Sequence, residues 1–424
     1  MSIEHIQDIL PEVEMPSRYL GNEINATRKD LNKVRLRIAL AFPDLYEIGT
    51  SHFGLQILYD ILNRREDIAA ERVYAPALDM AARLRARDLS LSSLESGWPL
   101  QRFDIIGFSL LYEMNYTGVL SILSLGRIPF RQKDRDDTHP FVVAGGPCTC
   151  NPEPVADFFD AMVIGDGEEV ILHMADAWLS WRHRHDRRRE TLMEAWSEIP
   201  GVYIPALFDV EIDDRGFQQL RPRRKGYQRV SRAVVHRLEA AAFPTNPIVP
   251  YGRPVHDRLR LELSRGCTRG CRYCQAGMIY RPVRERSPAK IMDLCNAALA
   301  ATGYEDLSLL SLSTGDYRCI IPLMAQLLSR HACDRVALSL PSLRAGTLTP
   351  ELMALIKSVR KTGFTIAPEA GSQRLRNVIN KNISAEDISD TVRDAFAQGW
   401  TVIKLYFMIG LPTETQADLE ALVD

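Results

Sequence analysis

The chain has 424 residues, of which 46% are hydrophobic and 25% charged, and its formal net charge is −2. That composition is ordinary for globular protein of two or three domains, and the charge balance gives no overall pull toward nucleic acid or anionic lipid. No apolar run is long enough to span a bilayer, and the opening Met1-Ser-Ile-Glu-His-Ile-Gln-Asp8 lacks the basic-then-apolar order of an export signal. Eight cysteines do not make a disulfide scaffold at this length, so the reading is a cytoplasmic protein whose clustered thiols bind metal.

The first half alternates strands and helices. Arg35 to Ala41 reads as a strand ended by Pro43-Asp44, and Leu55 to Asn63 has helical apolar spacing. Arg72-Val-Tyr74 is a short strand, and Asp104 to Leu110, Phe141 to Ala144 and Ala161 to Ile164 are apolar runs of the kind buried on both faces of a parallel sheet. The pattern predicts a doubly wound α/β domain over residues 1–180. The turns Gly145-Gly146 and Gly165-Asp166-Gly167 end two of its strands, where such sheets place their ligands. Cys148 and Cys150 would face the same crevice and are read as packing residues.

Residues 181–258 break the alternation and are expected to form a connector with a small β element. Arg182 to Arg189 is a charge run, read as the solvated face or end of a helix. Val202-Tyr-Ile204 and Phe208 to Ile212 suggest short strands, with a turn at Asp213 to Gly216. Arg221 to Arg232 is basic, and an RNA-facing strip is the alternative to a plain connector there.

From residue 259 to 424 strands and helices alternate again, predicting a partial (β/α) barrel. Strands are expected at Leu259 to Leu263, Leu307 to Leu312, Val336 to Leu340, Phe364 to Ala367 and Val402 to Met408. Helices are expected at Ala289 to Ala301, Ile320 to Ser329, Pro350 to Lys361 and Ser384 to Gln398. Right after the first of these strands comes Arg265-Gly-Cys267-Thr-Arg-Gly-Cys271-Arg-Tyr-Cys274, a C-x3-C-x2-C loop. Three thiolates on one loop can hold three corners of a cubane iron–sulfur cluster and leave the fourth iron open. A closed zinc site would want a fourth ligand at short spacing. The next cysteine, Cys295, lies in an expected helix, and the nearest histidine, His256, lies upstream.

This loop resembles the cluster loop of radical S-adenosylmethionine (SAM) enzymes, and the motifs that follow extend the likeness. They are Ser313-Thr-Gly-Asp-Tyr317, Ser339-Leu-Pro-Ser-Leu-Arg344, Ala367-Pro-Glu-Ala-Gly-Ser-Gln-Arg374 and Lys404-Leu-Tyr-Phe-Met-Ile-Gly-Leu-Pro-Thr-Glu414, each at an expected strand end. The resemblance implies a [4Fe–4S] cluster held by Cys267, Cys271 and Cys274, whose open iron chelates SAM and whose electron cleaves it to a 5′-deoxyadenosyl radical. It implies that Thr314, Gly315 and Asp316 meet the SAM amino group, Glu369 the ribose hydroxyls, and Ile409 and Gly410 the adenine, with Tyr273 the aromatic before the third cysteine. Arg344 is the candidate for the SAM carboxylate, which a guanidinium can grip with two parallel hydrogen bonds.

Taken whole, the chain resembles an uncharacterised radical SAM subfamily with an N-terminal cobalamin-binding-like domain. Such a domain commonly carries Asp-x-His-x-x-Gly, which is missing here, and His52 is the nearest histidine to the expected crevice. Cobalamin is therefore an optional cofactor, and His52 is read as a helix-start residue. The family implies a reductant such as flavodoxin or ferredoxin and leaves the substrate unknown. Two alternatives stand beside it: an RNA-modifying methyl- or methylthiotransferase, and an iron–sulfur/SAM-binding protein without turnover. The chain stops at Asp424 inside a helical pattern, so the expectation is a truncated product whose barrel lacks its last strand.

Overall fold

The computed structural model describes residues 8–331, 336–341, 343–347, 349–357 and 364–423. Ser342, residues 358–361 of the helix expected at Pro350 to Lys361, and the terminal segments 1–7 and 424 lie outside the described residues. The chain forms two compact units, Met1–Val235 with Ala241–Asp257, and His236–Ala240 with Arg258–Asp424.

The first unit is built on a six-stranded sheet of β1 (Leu36–Phe42), β2 (Ile68–Tyr74), β3 (Ile105–Ser109), β4 (Phe141–Gly145), β5 (Ala161–Val163) and β6 (Val202–Tyr203), in the order β2-β1-β3-β4-β5-β6. The first five are parallel and β6 is antiparallel to β5. The chain moves outward from β1 in one direction to β2 and in the other to β3, β4 and β5. With the right-handed crossovers that parallel strands take, this order is the doubly wound arrangement with its switch point between β1 and β3. Helices Phe53–Asn63, Leu78–Ala86 and Asn115–Leu125 make the first three crossovers. β1 is buried at six of its seven positions, with only Arg37 half-buried, as its near-continuous apolar sequence requires.

β2 is an edge strand yet buried at every position, including Glu71 and Arg72. Its free edge is closed by two segments from elsewhere in the chain, which meet the Arg72 guanidinium through Glu23 at 2.8 Å and Glu95 at 2.6 Å. An edge hemmed in this way cannot template pairing with another chain.

Much of the stretch expected as a connector is integral to this unit. The helix Arg189–Ser197 packs on the sheet and β6 extends it, while β7 (Phe208–Ile212) and β8 (Gln218–Pro222) form a separate antiparallel hairpin. The charge run is corrected at one position: Arg189 is only 4% exposed. Its guanidinium lies 3.9 Å from the Phe141 ring centre and 2.9 Å from Asp160, and it donates to the His139 carbonyl at 2.7 Å. Three arginines of the basic strip are paired locally, Arg221 with Glu211, Arg223 with Asp209 and Arg224 with Glu198.

The second unit carries β9 (Leu259–Glu262), the short hairpin of β10 (Ser264–Arg265) and β11 (Arg284–Glu285), then β12 (Asp306–Leu310), β13 (Ala337–Ser339), β14 (Phe364–Glu369) and β15 (Ile403–Phe407). β9, β12 and β13 form a parallel sheet in the order β13-β12-β9, and β14 pairs in parallel with β15. The helices Pro288–Thr302, Ile320–His331, Pro350–Lys357, Gln373–Val378 and Ala385–Ala397 alternate with the strands. Ser287 caps the first of these by accepting from the Lys290 N–H, with Pro288 at the first position. Ser384 and Asp387 make a reciprocal capping box on the last. This is the strand–helix repeat of the expected partial barrel.

Candidate functional site

The cysteine loop leaves β10 through Gly266, which sits at φ +94; a side chain there would place Cβ 2.6 Å from the Pro282 carbonyl oxygen. Only glycine fits, so this residue type is what lets the loop turn directly after the strand. Cys267, Cys271 and Cys274 are free thiols of intermediate burial. The Arg269 N–H points at the Cys267 sulfur from 3.5 Å, and the Cys274 N–H closes a turn on the Cys271 carbonyl at 3.1 Å. A single zinc ion needs every donor about 2.0–2.3 Å from one point. Among the described residues no three Cys, His, Asp or Glu side chains converge in that way. Three thiolates on one loop are the donor set that a cluster takes, one thiolate per iron.

Two polar clamps hold this loop against the ends of neighbouring strands. On one side Arg269 pairs with Asp316, its Nε 2.8 Å from Oδ2 and its Nη2 on Oδ1. Ser313 donates to the same carboxylate at 2.7 Å. Burial pushes the Asp316 carboxyl up, but the hydrogen bonds from Arg269 and Ser313 and the Arg269 charge outweigh it and hold it below its usual value. On the other side the Tyr273 hydroxyl donates to Glu369 Oε1 at 2.9 Å, and Lys381 Nζ lies 3.1 Å from both oxygens. Burial, then the Glu369 charge, drives the Tyr273 phenol far above its ordinary range, so it stays protonated and donates.

Glu369 owes its aim to the backbone. The β14–β15 register slips between Ile366 and Glu369, and Glu369 takes φ +72, uncommon for a residue with a side chain. Its carbonyl still accepts from the Met408 N–H at 2.8 Å, so the strand pair survives the bulge.

The other expected residues are distributed as follows. Thr314 is fully buried, and its hydroxyl donates to the Pro341 carbonyl at 2.6 Å, tying the end of β12 to the turn after β13. Gly315 lies in the same 3-10 turn, packed so closely that a Cβ would sit 2.3 Å from Thr347 Oγ1. Arg344 donates from Nη2 to the Asn382 carbonyl at 2.8 Å. Gly410 takes φ +87 with its N–H on Glu414 Oε2 at 2.6 Å, and Ile409 stands 75% exposed. Tyr273 and Glu369 are thus in direct contact, Asp316 is joined to the cysteine loop through Arg269, and Ile409 and Gly410 belong to a separate turn.

Sequence reasoning missed Arg269 and the loop Ile379-Asn380-Lys381-Asn382. The only local signal in that loop is Asn-Lys-Asn after a helix, and both asparagines do take left-handed backbone, at φ 54 and φ 50. That marks a turn and says nothing of what the lysine touches.

In the first unit the expected crevice is spanned by Tyr112, whose hydroxyl donates to Asp44 Oδ2 at 2.6 Å across the ends of β3 and β1. His52 is the N-cap of helix Phe53–Asn63, with Nδ1 accepting from the Leu55 N–H at 3.3 Å. Cys148 is buried, and burial raises its thiol pKa. The Gly165 turn is filled by the chain itself: Gly165 sits at φ +112, and a Cβ there would lie 2.2 Å from the Ala233 carbonyl oxygen. Asp166 then accepts from the Val235 N–H at 2.8 Å, so this strand end is closed.

Residues 261–424 match the family described as Radical SAM superfamily, and residues 54–205 match Radical SAM proteins, N-terminal. The chain is 29% identical over 395 residues to uncharacterized protein MJ0966 of Methanocaldococcus jannaschii, covering 92% of this chain and 73% of that protein. Its fold is similar to that of the radical SAM methyltransferase TsrM of Kitasatospora setae, solved with cobalamin and a [4Fe–4S] cluster bound: TM-score 0.61, 18% identity, 92% of this chain and 69% of the other. It is also similar to the cobalamin-dependent SAM radical enzyme OxsB, solved with aqua-cobalamin and SAM bound: TM-score 0.57, 14% identity, 91% of this chain and 51% of the other.

Proposed function

This chain belongs to the radical SAM superfamily, and on that premise we propose that Cys267, Cys271 and Cys274 hold a [4Fe–4S] cluster beside a SAM site built from the ends of β12, β13, β14 and β15. When bound, the cluster supplies the electron that cleaves SAM reductively. The chain's own residues bind and orient. Asp316, kept ionised by Arg269, faces the SAM ammonium from the Thr314–Gly315 turn; opposite charges attract far more in a sheltered cleft than in water. Arg344 takes the carboxylate, Glu369 the ribose hydroxyls, and the Ile409–Gly410 turn the adenine. Tyr273 orients Glu369 by hydrogen bonding.

The observation that carries this reading is the pair of clamps. The carboxylates of Asp316 and Glu369, 53 residues apart in the chain, are each bound to a side chain of the cysteine loop. Anaerobic reconstitution followed by dithionite and SAM tests it. The wild type should yield 5′-deoxyadenosine and Cys271→Ala should not. A protein that takes up one zinc and no iron would sink the reading.

Cobalamin is the optional second ligand of this proposal. The β1–β3 switch point supports it, and because His52 serves as a helix cap, binding would have to proceed without that imidazole. A corrinoid absorption band retained after gel filtration decides it. The reductant would be a small electron carrier such as flavodoxin or ferredoxin. An RNA substrate has little support, since Arg221, Arg223 and Arg224 are each neutralised by a carboxylate. Among the described residues no helix is long and apolar enough to cross a membrane.

A further inference from the structure

The loop Ile379-Asn380-Lys381-Asn382 touches more of the expected site than any motif read from the sequence. The Ile379 carbonyl accepts from the Arg272 N–H at 2.9 Å, and the Asn380 side-chain amide donates to the Gly270 carbonyl at 2.8 Å. Both partners lie inside the cysteine loop. The Asn382 carbonyl holds the Arg344 guanidinium. The loop is anchored from below by Arg376, which is 3% exposed and donates to the Ile383 carbonyl at 2.9 Å and the Ala370 carbonyl at 3.0 Å.

At the centre is Lys381, whose side chain is 10% exposed beside Glu369 at 16%. An ammonium buried this far is costly unless it is paired and hydrogen-bonded. Its pairing is specific: Nζ reaches one oxygen of Glu369 and the Tyr273 hydroxyl, and those two also bond each other. Both contacts made to Glu369 fall on Oε1. Glu369 Oε2 is the oxygen left for a ligand hydroxyl.

We propose that Lys381 is a positioning residue: it fixes the rotamer of Glu369, and so sets how tightly the site grips the ribose of SAM. The inference rests on the functional reading above. Asn380 and Ile379 extend the same role to the cysteine loop, so one four-residue turn keeps the cluster ligands and the ribose carboxylate in register.

The test uses the full chain, reconstituted anaerobically, with Lys381→Met and Lys381→Arg. Three quantities are read: iron content, dissociation constant for SAM, and dissociation constant for methionine, which carries the amino and carboxylate groups but no ribose. Lys381→Met should retain iron and bind SAM about tenfold more weakly, with methionine binding unchanged, the loss expected when a charge-assisted contact goes. Lys381→Arg should recover most of the SAM affinity. Unchanged SAM binding in Lys381→Met overturns the inference. So does an equal loss for methionine and SAM, or loss of iron, because either assigns Lys381 to loop integrity alone. A wild type that takes up no iron is a different failure: it removes the functional reading and this inference with it.

Discussion

Glu95→Ala should destabilise the first unit far more than a surface substitution. Arg72 lies on the edge strand β2 with its side chain 1% exposed, and Glu23 and Glu95 are equally enclosed. Glu95 serves it twice, accepting from Nε at 2.6 Å and from the backbone N–H at 2.8 Å. Glu23 takes the other end of the guanidinium at 3.1 and 2.8 Å. Removing Glu95 leaves a buried guanidinium half-paired and a buried N–H without its acceptor. Breaking a pair of this kind costs about 3–5 kcal/mol. In a domain of this size each kcal/mol moves the midpoint by about 2–4 °C, so the fall should be roughly 6–20 °C. Thermal unfolding followed by the fluorescence of Trp178, Trp181 and Trp196, all buried in the same unit, reads it directly. The combined Glu23→Gln, Arg72→Met, Glu95→Gln variant should recover much of the loss, because it removes the charges together. A single-variant fall below about 2 °C, or a triple variant no better than the single, would refute the reasoning. The network also sets an acid limit. Burial pushes the Glu23 carboxyl up, but Arg72 outweighs it and holds it below its ordinary 4.5. That stability is fully present above pH 4.5 and is lost as pH falls through the lowered value.

Asp316→Asn should keep its iron after reconstitution yet bind SAM about tenfold or more weakly in equilibrium dialysis, since a neutral amide gives up the charge facing the ammonium. Gly165→Ala should destabilise the first unit by several degrees in the same fluorescence melt, because it forces Cβ against the Ala233 carbonyl in a left-handed backbone. A melt identical to wild type would show that the 233–235 segment is free to move aside. Filter binding at physiological salt should give no saturable RNA complex in the micromolar range; replacing Glu198, Asp209 and Glu211 with glutamine should produce one by freeing the arginines.

Element type and order were legible because they are written in short-range periodicity. The apolar runs at 105–109 and 141–145 appear as strands within a residue or two of their expected limits, and the helix capped by Ser287 starts where Ser-Pro marks it. The cysteine spacing and the order of strand-end motifs were equally local, and they were enough to identify the superfamily. The charges behaved otherwise. Arg189 reads as one more member of an exposed run but sits against Phe141 and Asp160, 48 and 29 residues away in the chain. Nothing within a helical turn of it announces a buried acid.

The chain's own sequence therefore determined which thiols are grouped and which strands end in polar turns, since each of those facts is settled within about ten residues of backbone. The tertiary structure alone decided who meets whom: that Ala233 closes the Gly165 turn, that Arg269 reaches Asp316 47 residues on, and that Lys381 lies against Tyr273 108 residues before it. Those pairings depend on how separate strand ends are brought together by the sheet. A buried ammonium or guanidinium is tolerated only where such a partner has been delivered, so its identity as core or surface cannot be read from its neighbours in the chain.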